Sequence, residues 1–446
     1  MSELLDIATA LADRAGPDEE VEAFVVRHRG TEVRAYDGAV ESLTVSDSAG
    51  VGVRVVAGGR QGFSYAGTLE AGALDEVLAE ARDNARFGTV DPDAGVAAPD
   101  GVPVPALDLF RPSLSSVPTD DKVELALALE KATRAADGRI IGVESAEYSD
   151  VVGEMAVATS AGVAAEARET ACYLASYALA SADDDTQTGF GFSVGREPAD
   201  LDPEAAAADA AHRATRLLGA RKAPSGRLTV VLDPFVTAQL LGIIGSTLSG
   251  EAVLKGRSLF ADRVGEEVAP PWVRLVDDPT DTRAFTAGAI DAEGLASRPV
   301  PLLADGVLRG FLHNTYTARR AGTSSTASAV RGYSSPPGVG ARALRLEPGD
   351  RSPEELIADI DDGFLVQHVA GLHSGVNPVS GDFSTGAEGL RIRRGETAEP
   401  VREVTIASTL QRLLLDIRAV GSDLEFLPLS AAGVSLVIDD VTLSGA

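Results

Sequence analysis

The stretch AVESLTVSDSAGVGVRVVAGGRQGFSYAGT, residues 39–68, carries the pattern that decides the fold of the first half of the chain. Aliphatic residues alternate with polar ones, and this period of two is typical of a β-strand with one buried face. The pair Gly58-Gly59 interrupts the alternation with the residue type that a tight hairpin turn favours. The stretch therefore predicts two antiparallel strands joined by a short turn.

The residues on either side extend this pattern into a sheet covered by helices. Residues 21–29 and 31–38 also alternate and predict strands that precede the hairpin. After it, Leu69, Ala73, Val77 and further apolar residues recur at helical spacing, which predicts an amphipathic helix over residues 69–87. The same reasoning predicts further helices over residues 3–15, 119–136 and 203–218, and a long β-hairpin over residues 140–182.

The second half of the chain is richer in strand signals. A buried strand is predicted over residues 227–233. The helix that follows, residues 234–250, is apolar almost all round and must be buried by the core or by a partner. Glycine-rich and proline-rich β structure comes next, with two short helices over residues 353–362 and 406–417, and residues 433–445 predict a closing strand. We predict an α+β fold in two domains: an N-terminal α/β domain with an antiparallel sheet and packed helices, residues 1–222, and a β-rich C-terminal domain with a few helices, residues 223–446.

Composition excludes several classes of protein. The net charge of −28 over 446 residues opposes non-specific binding to nucleic acid and docking on anionic membranes. An apolar run of about 18 residues, as a membrane span requires, is missing. Cys172 is the single cysteine, so an internal disulfide is impossible, and the N-terminus lacks the features of a signal peptide. We expect a cytoplasmic protein.

Short motifs do not assemble a catalytic set by themselves. The five histidines do not stand at the i, i+4 spacing of a helical metal site, so each is interpreted as structural. Residues 191–195, GFSVG, match the G-x-S-x-G pattern of serine hydrolases, which would make Ser193 a nucleophile. The pattern requires a strand–elbow–helix setting, whereas a loop is predicted after Gly195. A hydrolase that uses Ser193 is therefore ranked third, after the two functions that are described below.

Four longer stretches together resemble the TldD/PmbA family of metallopeptidase subunits, in compatible order over nearly the whole chain. They are VRAYDGAVESLTVSDSAGVGVRVVAGGRQGFSYAGTL at 33–69, SGEAVLKGRSLFADRVGEEVAPPWVRLVDDPTD at 249–281, HSGVNPVSGDFSTGAEG at 373–389 and VTIASTLQRLLLDIRAVGSDLEF at 404–426. The resemblance implies peptides that are unfolded, extended or modified as substrates.

The resemblance also implies a branch of the family. The TldD-type subunit carries H-E-x-x-x-H on a helix and a cysteine near the C-terminus, and these residues hold the metal. Here Leu241, Gly242 and Ser246 stand at the motif positions, and FLPLSAAG at 426–433 offers no sulfur. The chain thus resembles the PmbA type, also called TldE. For this type the resemblance implies a heterodimer in which a TldD-type partner holds the zinc. It also implies that this chain carries no catalytic or metal-binding residue. The alternative is a stand-alone peptide-binding homodimer without enzymatic activity.

The glycine-rich segment SGVNPVSGDFS, residues 374–384, is the predicted substrate-binding surface. Glycines permit close approach of another backbone, and the polar side chains between them can bind an extended peptide main chain. The candidate residues are Ser374, Gly375, Asn377, Ser380, Gly381 and Asp382. The alternative is that these glycines only allow tight turns in a β-rich domain. Lys255 and Arg257 form a second candidate, for a peptide carboxylate, and a solvated turn is the alternative there.

Overall fold

The computed structural model describes residues 2–445. Six antiparallel strands form the sheet of the first half, sheet A: β1 Glu19–Tyr36, β2 Ala39–Ala57, β3 Arg60–Ala66, β4 Ile140–Thr159, β5 Ala164–Ala182 and β6 Asp185–Gly195. Their order across the sheet is β3-β2-β1-β4-β5-β6. Gly58 and Gly59 both have positive φ between β2 and β3, so the predicted tight hairpin is confirmed.

Four helices cover one face of sheet A: α1 Glu3–Ala12, α2 Ala71–Phe87, α3 Thr119–Ala136 and α4 Pro203–Thr215. Helix α1 packs on β1 and β4, α2 on β2 and β3, α3 on β1 and β4, and α4 on β5 and β6. Val21 and Val25 of β1 share a buried core with α1 and α2, and Val33 shares one with α3 and α4. Phe24 and Val26 lie on the opposite face, because successive residues of a strand alternate between faces, and they contact the second half of the chain. Sheet A is therefore buried on both sides over residues 21–26 of β1.

The second half contains twelve strands within the described residues: β7 Gly226–Leu232, β8 Leu275–Asp277, β9 Val300–Ala304, β10 Val307–Leu308, β11 Ala329–Val330, β12 Gly338–Val339, β13 Leu344–Leu346, β14 Asp362–Ala370, β15 Asp382–Arg393, β16 Glu396–Thr409, β17 Ile417–Val420 and β18 Leu436–Ser444. Sheet B has the order β16-β15-β14-β7-β18-β17, and only the β7–β14 pair is parallel. A smaller sheet has the order β10-β9-β8-β13. This mixed architecture confirms the predicted α+β fold with a β-rich second half.

The helices of the second half are short apart from α5: α5 Pro234–Thr247, α6 Gly250–Leu254, α7 Thr315–Ala321, α8 Pro353–Ala358, α9 Leu372–Gly375 and α10 Leu410–Leu415. Leu240, Leu241 and Ile244 of α5 are buried in the core formed with sheet B, so the core covers this apolar helix. The helix predicted over 406–417 is wrong in its first part, because β16 continues to Thr409. The hydroxyl of Thr409 then accepts the N–H of Arg412 and caps the short helix α10.

Ion pairs join the two halves of the chain. Arg213 of α4 reaches Asp233 of the second half at 3.0 Å, and Arg402 of β16 reaches Asp185 of β6 at 2.6 Å. Asp233 also caps α5, since its carboxylate accepts the N–H of Phe235 at 2.9 Å. One residue thus fixes both the start of α5 and its distance from α4.

Candidate functional site

Helix α5 borders an open groove of about 280 Å³. Gly242 and Ser246 lie one turn apart and face this groove, because residues at i and i+4 share a helix face. Leu241 points the other way and is only 1% exposed in the core. The α5 groove is lined by Gly242, Ser246, Ser249, Val339, Gly340, Ala341, Leu344 and Ser430. The structure thus brings positions 242, 246 and 430 together and leaves position 241 outside.

The donors in the α5 groove do not fit a zinc ion. Protein zinc is held by thiolate, imidazole and carboxylate groups, whereas this groove offers serine hydroxyls. The Ser246 hydroxyl donates to the carbonyl of Ile243 at 2.7 Å, and the Ser249 hydroxyl caps α6 by accepting the N–H of Ala252 at 3.1 Å. Over residues 2–445, no group of three or more His, Cys, Asp or Glu side chains could hold a metal ion.

A larger cleft of about 740 Å³ opens between the two halves of the chain. Tyr316 of α7 bridges the halves there, since its hydroxyl donates to a carboxylate oxygen of Asp91 at 2.8 Å. Glu251 of α6 and Lys255, which directly follows this helix, form an ion pair at the cleft, and Arg320 adds another cation. The cleft combines charges of both signs with apolar walls, which include Pro92, Pro336 and Pro337. Lys255, singled out in the sequence, therefore lines a cavity.

Four charged side chains form a buried cluster that reaches the wall of this cleft. Arg54 of β2 binds Glu22 of β1 with two hydrogen bonds, at 2.8 and 3.1 Å, and lies 3.5 Å from Glu293. Arg331 donates to the same Glu22 carboxylate at 2.7 Å and stacks on the ring of Phe24. Burial alone would raise the pKa of Glu22, but the charges of Arg331 and Arg54 outweigh it and lower the pKa to about 2. The cluster therefore contains two carboxylates and two guanidinium groups, and their formal charges cancel at the boundary between the halves.

Asp291 lies beside this cluster and carries a perturbed carboxyl group. Its oxygens accept the N–H groups of Glu293 and Leu295 at 2.9 Å and of Ala329 at 3.0 Å. Burial, followed by the charge of Glu293, raises the pKa of Asp291 to about 7. The loop 291–295 is therefore held by a carboxyl group that is partly protonated near neutral pH.

Asp291→Asn is expected to flatten the pH dependence of stability. Between the ordinary pKa of 3.8 and about 7, the folded protein keeps a proton that the unfolded chain has lost. The contribution of Asp291 to the free energy of unfolding then falls as pH rises through this window, and Asp291→Asn removes this contribution. Urea unfolding across the window should show that the free energy of unfolding of the native protein, minus that of the variant, decreases as pH rises. A difference that stays constant with pH would contradict the assignment.

The glycine-rich segment forms an exposed turn between β14 and β15. The side-chain oxygen of Asn377 accepts the N–H groups of Val379 and Ser380, and the hydroxyl of Ser380 donates to Asp382 at 2.6 Å. Gly381 has φ near +85° and is required by the turn. A side chain at Gly375 would place its Cβ 2.1 Å from the carbonyl oxygen of Ser384. The fold of this turn therefore requires glycine at both positions. The side chains at the other four candidate positions, Ser374, Asn377, Ser380 and Asp382, are exposed.

Family models for three consecutive domains match most of the chain. They are described as PmbA/TldA metallopeptidase domain 1, central domain and C-terminal domain, and they match residues 21–85, 112–218 and 225–445. The chain belongs to the PmbA/TldD metallopeptidase family.

Individual members of the family align over nearly their full length. The metalloprotease PmbA of Escherichia coli O157:H7 is 28% identical over 94% of this chain and 91% of its own. The metalloprotease TldD homolog of Haemophilus influenzae is 27% identical over 92% and 89%. A crystal structure from Thermotoga maritima, described as a proposed modulator of a DNA gyrase, superimposes with a TM-score of 0.90 at 26% identity over 99% of both chains. Overall identity therefore does not separate the PmbA and TldD branches.

The buried cluster of this PmbA/TldD-family protein was missed by motif reasoning. Glu22 and Arg54 lie on neighbouring strands, but Glu293 and Arg331 come from distant loops, so spacing along the chain gives no sign of the pairing. One local signal was available: Asp291-Ala-Glu-Gly places two carboxylates in an otherwise apolar stretch. Buried carboxylates almost always have partners, and this rule could have prompted a search for arginines.

No helix within residues 2–445 has both the length and the apolar character needed to cross a lipid bilayer.

Proposed function

We propose that this chain is the metal-free subunit of a TldD/TldE-type heterodimeric zinc peptidase of the cytoplasm. The observation that carries the proposal is the α5 groove, where positions 242, 246 and 430 carry a hydrogen atom and two hydroxyl groups. These groups cannot hold zinc or activate a water molecule on it. In the proposal, a TldD-type partner holds the zinc and performs hydrolysis.

The contribution of this chain is to bind extended peptides, either unfolded or modified, beside the partner's metal. Two features support this role. The cleft between the halves combines Lys255 and Arg320 with apolar proline walls, which suits a peptide with a charged group and little regular structure. In the glycine-rich turn, Ser374, Asn377, Ser380 and Asp382 are exposed on a backbone held by its own hydrogen bonds, so the peptide would meet a preorganised surface.

Reconstitution with a TldD-type partner tests the proposal. The purified chain alone is expected to contain less than stoichiometric zinc by metal analysis and to leave an unstructured fluorogenic peptide intact. Adding the partner should start cleavage, and a chelator should stop it. The matched control is the same partner with both motif histidines replaced by alanine, which should stay inactive in the complex. Cleavage by this chain alone, or by the complex with the control partner, would overturn the proposal.

A further inference from the structure

The face of sheet A that lies opposite its helices is only partly covered by the second half of the chain. Phe24 and Val26 on this face of β1 pack against the second half. Further along the same strand, Glu32 is exposed and Tyr36 is 51% exposed, and both lie on this face because strand residues two apart share a face. The uncovered part, called the inner face below, carries three glutamates and three tyrosines: Glu32, Tyr36, Glu144, Glu147, Tyr173 and Tyr177.

Strand pairing places a carboxylate between two aromatic rings on the inner face. Tyr173 and Tyr177 of β5 lie about 13 Å apart along the strand. Glu147 of β4 is directly opposite Ala175, the residue midway between them. Burial and the charge of Glu147 raise the pKa of both tyrosines, and the charge of Glu32 acts in the same direction on Tyr173. The phenol rings and the carboxylates are therefore close enough to act on one ligand.

The two rings are held in place by aromatic neighbours. Phe285 of the second half meets Tyr173 edge-on, with ring centroids 6.2 Å apart, and the ring centroid of Phe190 in β6 lies 6.5 Å from that of Tyr177. Tyr177 nevertheless remains 38% exposed. Because these neighbours restrict rotation of the rings, a ligand that binds to them pays little for ordering them.

The carboxylates of the inner face have no cationic partner within the chain. Among the ion pairs of residues 2–445, none includes Glu32, Glu144 or Glu147. Arg34 lies on the same face, but its guanidinium pairs with Glu41 at 2.8 Å and donates to the backbone carbonyl of Glu144 at 3.2 Å. Unpaired acids are ordinary in a chain of net charge −28, so the evidence is their position beside exposed tyrosine rings.

This combination of groups suits a positively charged ligand. An ammonium or guanidinium group is attracted both by the negative face of an aromatic ring and by carboxylates. An acidic ligand would be repelled, and a neutral one would gain neither contact. The aliphatic stem of lysine or arginine can also cover apolar ring surface while its charged head reaches a carboxylate. In a peptide, lysine and arginine are the side chains that satisfy these conditions together.

We propose that the inner face binds the basic side chains of peptides, with Glu147 between Tyr173 and Tyr177 as the principal contact of a lysine or arginine. The proposal rests on the proposed function in so far as the bound peptide is a substrate, and it narrows that function to basic peptides. The binding itself uses this chain alone and needs no zinc.

Peptide binding by the full-length chain without a partner tests the inner face directly. The probes are a fluorescently labelled Gly-Ser peptide that carries several lysines and its twin with glutamine in place of each lysine, and the readout is fluorescence anisotropy. The lysine peptide should bind roughly tenfold more tightly. Glu32→Gln/Glu147→Gln should remove most of this preference. The matched control Glu70→Gln/Glu76→Gln, which deletes two exposed carboxylates on the helix side of sheet A, should keep it.

Tyr177→Leu separates ring contact from charge, because it leaves the net charge unchanged. It should weaken binding of the lysine peptide about two- to fivefold and leave the glutamine peptide unaffected. Equal binding of the two peptides by the native chain, or equal loss in the two double variants, would overturn the inference. A TldD-type partner that brings no cleavage would refute the proposed function instead, and the lysine preference of the isolated chain is measured independently of that result.

Discussion

Arg54→Met is expected to lower the free energy of unfolding by about 3–5 kcal/mol, a large share of the stability of an ordinary protein. The side chain of Arg54 is 3% exposed and lies between Glu22 and Glu293, which are both fully buried. Its removal leaves two buried carboxylates with Arg331 as their remaining cation in the cluster. Because water cannot reach these carboxylates, the desolvation cost of the unpaired charge is not recovered. Equilibrium urea unfolding followed by circular dichroism measures the loss.

A double-mutant cycle separates charge balance from packing. Glu22→Gln alone should also cost several kcal/mol, but Glu22→Gln/Arg54→Met should cost less than the sum, since Arg331 and Glu293 then remain as a balanced pair. Arg227→Met is the matched control: its ion pair with Asp440 is 3.0 Å long but exposed, and about 0–1 kcal/mol is expected. Additive costs in the cycle, or an Arg54→Met variant as stable as the control, would show that the cluster does not act as a unit.

Local pattern predicted most of the fold because the sheets are built from neighbouring strands. In sheet A, the hairpins β1–β2, β2–β3 and β4–β5 each join segments that follow one another, so alternation and turn glycines were sufficient. Strand β6, which follows a turn of aspartates instead of glycines, was not predicted. The error at residues 406–417 has the same physical origin. VTIAST alternates and is rich in β-branched residues, which favour strands, whereas the leucines after it favour a helix. One apolar run thus contains a strand end and a helix start.

The candidate site was harder to predict from the sequence than the fold, because its residues are distant from one another along the chain. Resemblance placed Leu241, Gly242 and Ser246 together, but helix geometry turns Leu241 into the core and leaves the other two in the groove. Ser430 joins them from a segment that only the fold brings near α5. The Glu22–Arg331 contact spans most of the chain, and no local period encodes such a pair.

Gly191 shows how a packing requirement can imitate a catalytic motif. The residue opens the match to G-x-S-x-G, yet it lies in β6 directly beneath α4. A methyl group there would place Cβ 2.0 Å from the carbonyl oxygen of Ala206 and 2.8 Å from the amide nitrogen of Ala210. Ser193 likewise has a structural partner, because its hydroxyl accepts the N–H of Asp202 at 2.9 Å, at the N-cap of α4. The contact of a glycine strand with an alanine-rich helix accounts for the pattern.

Gly191→Ala is therefore expected to cost about 3 kcal/mol, the upper end for overpacking, because the atoms it meets belong to the helix backbone and cannot rotate away. Gly142→Ala is the matched control: this strand glycine has its nearest neighbour, a flexible leucine side chain, at 3.9 Å, and alanine should stabilise it slightly by restricting the unfolded chain. Urea unfolding of the two variants should give changes of opposite sign. Equal effects would mean that α4 can move away from β6 at little cost, and the glycine would then need another explanation.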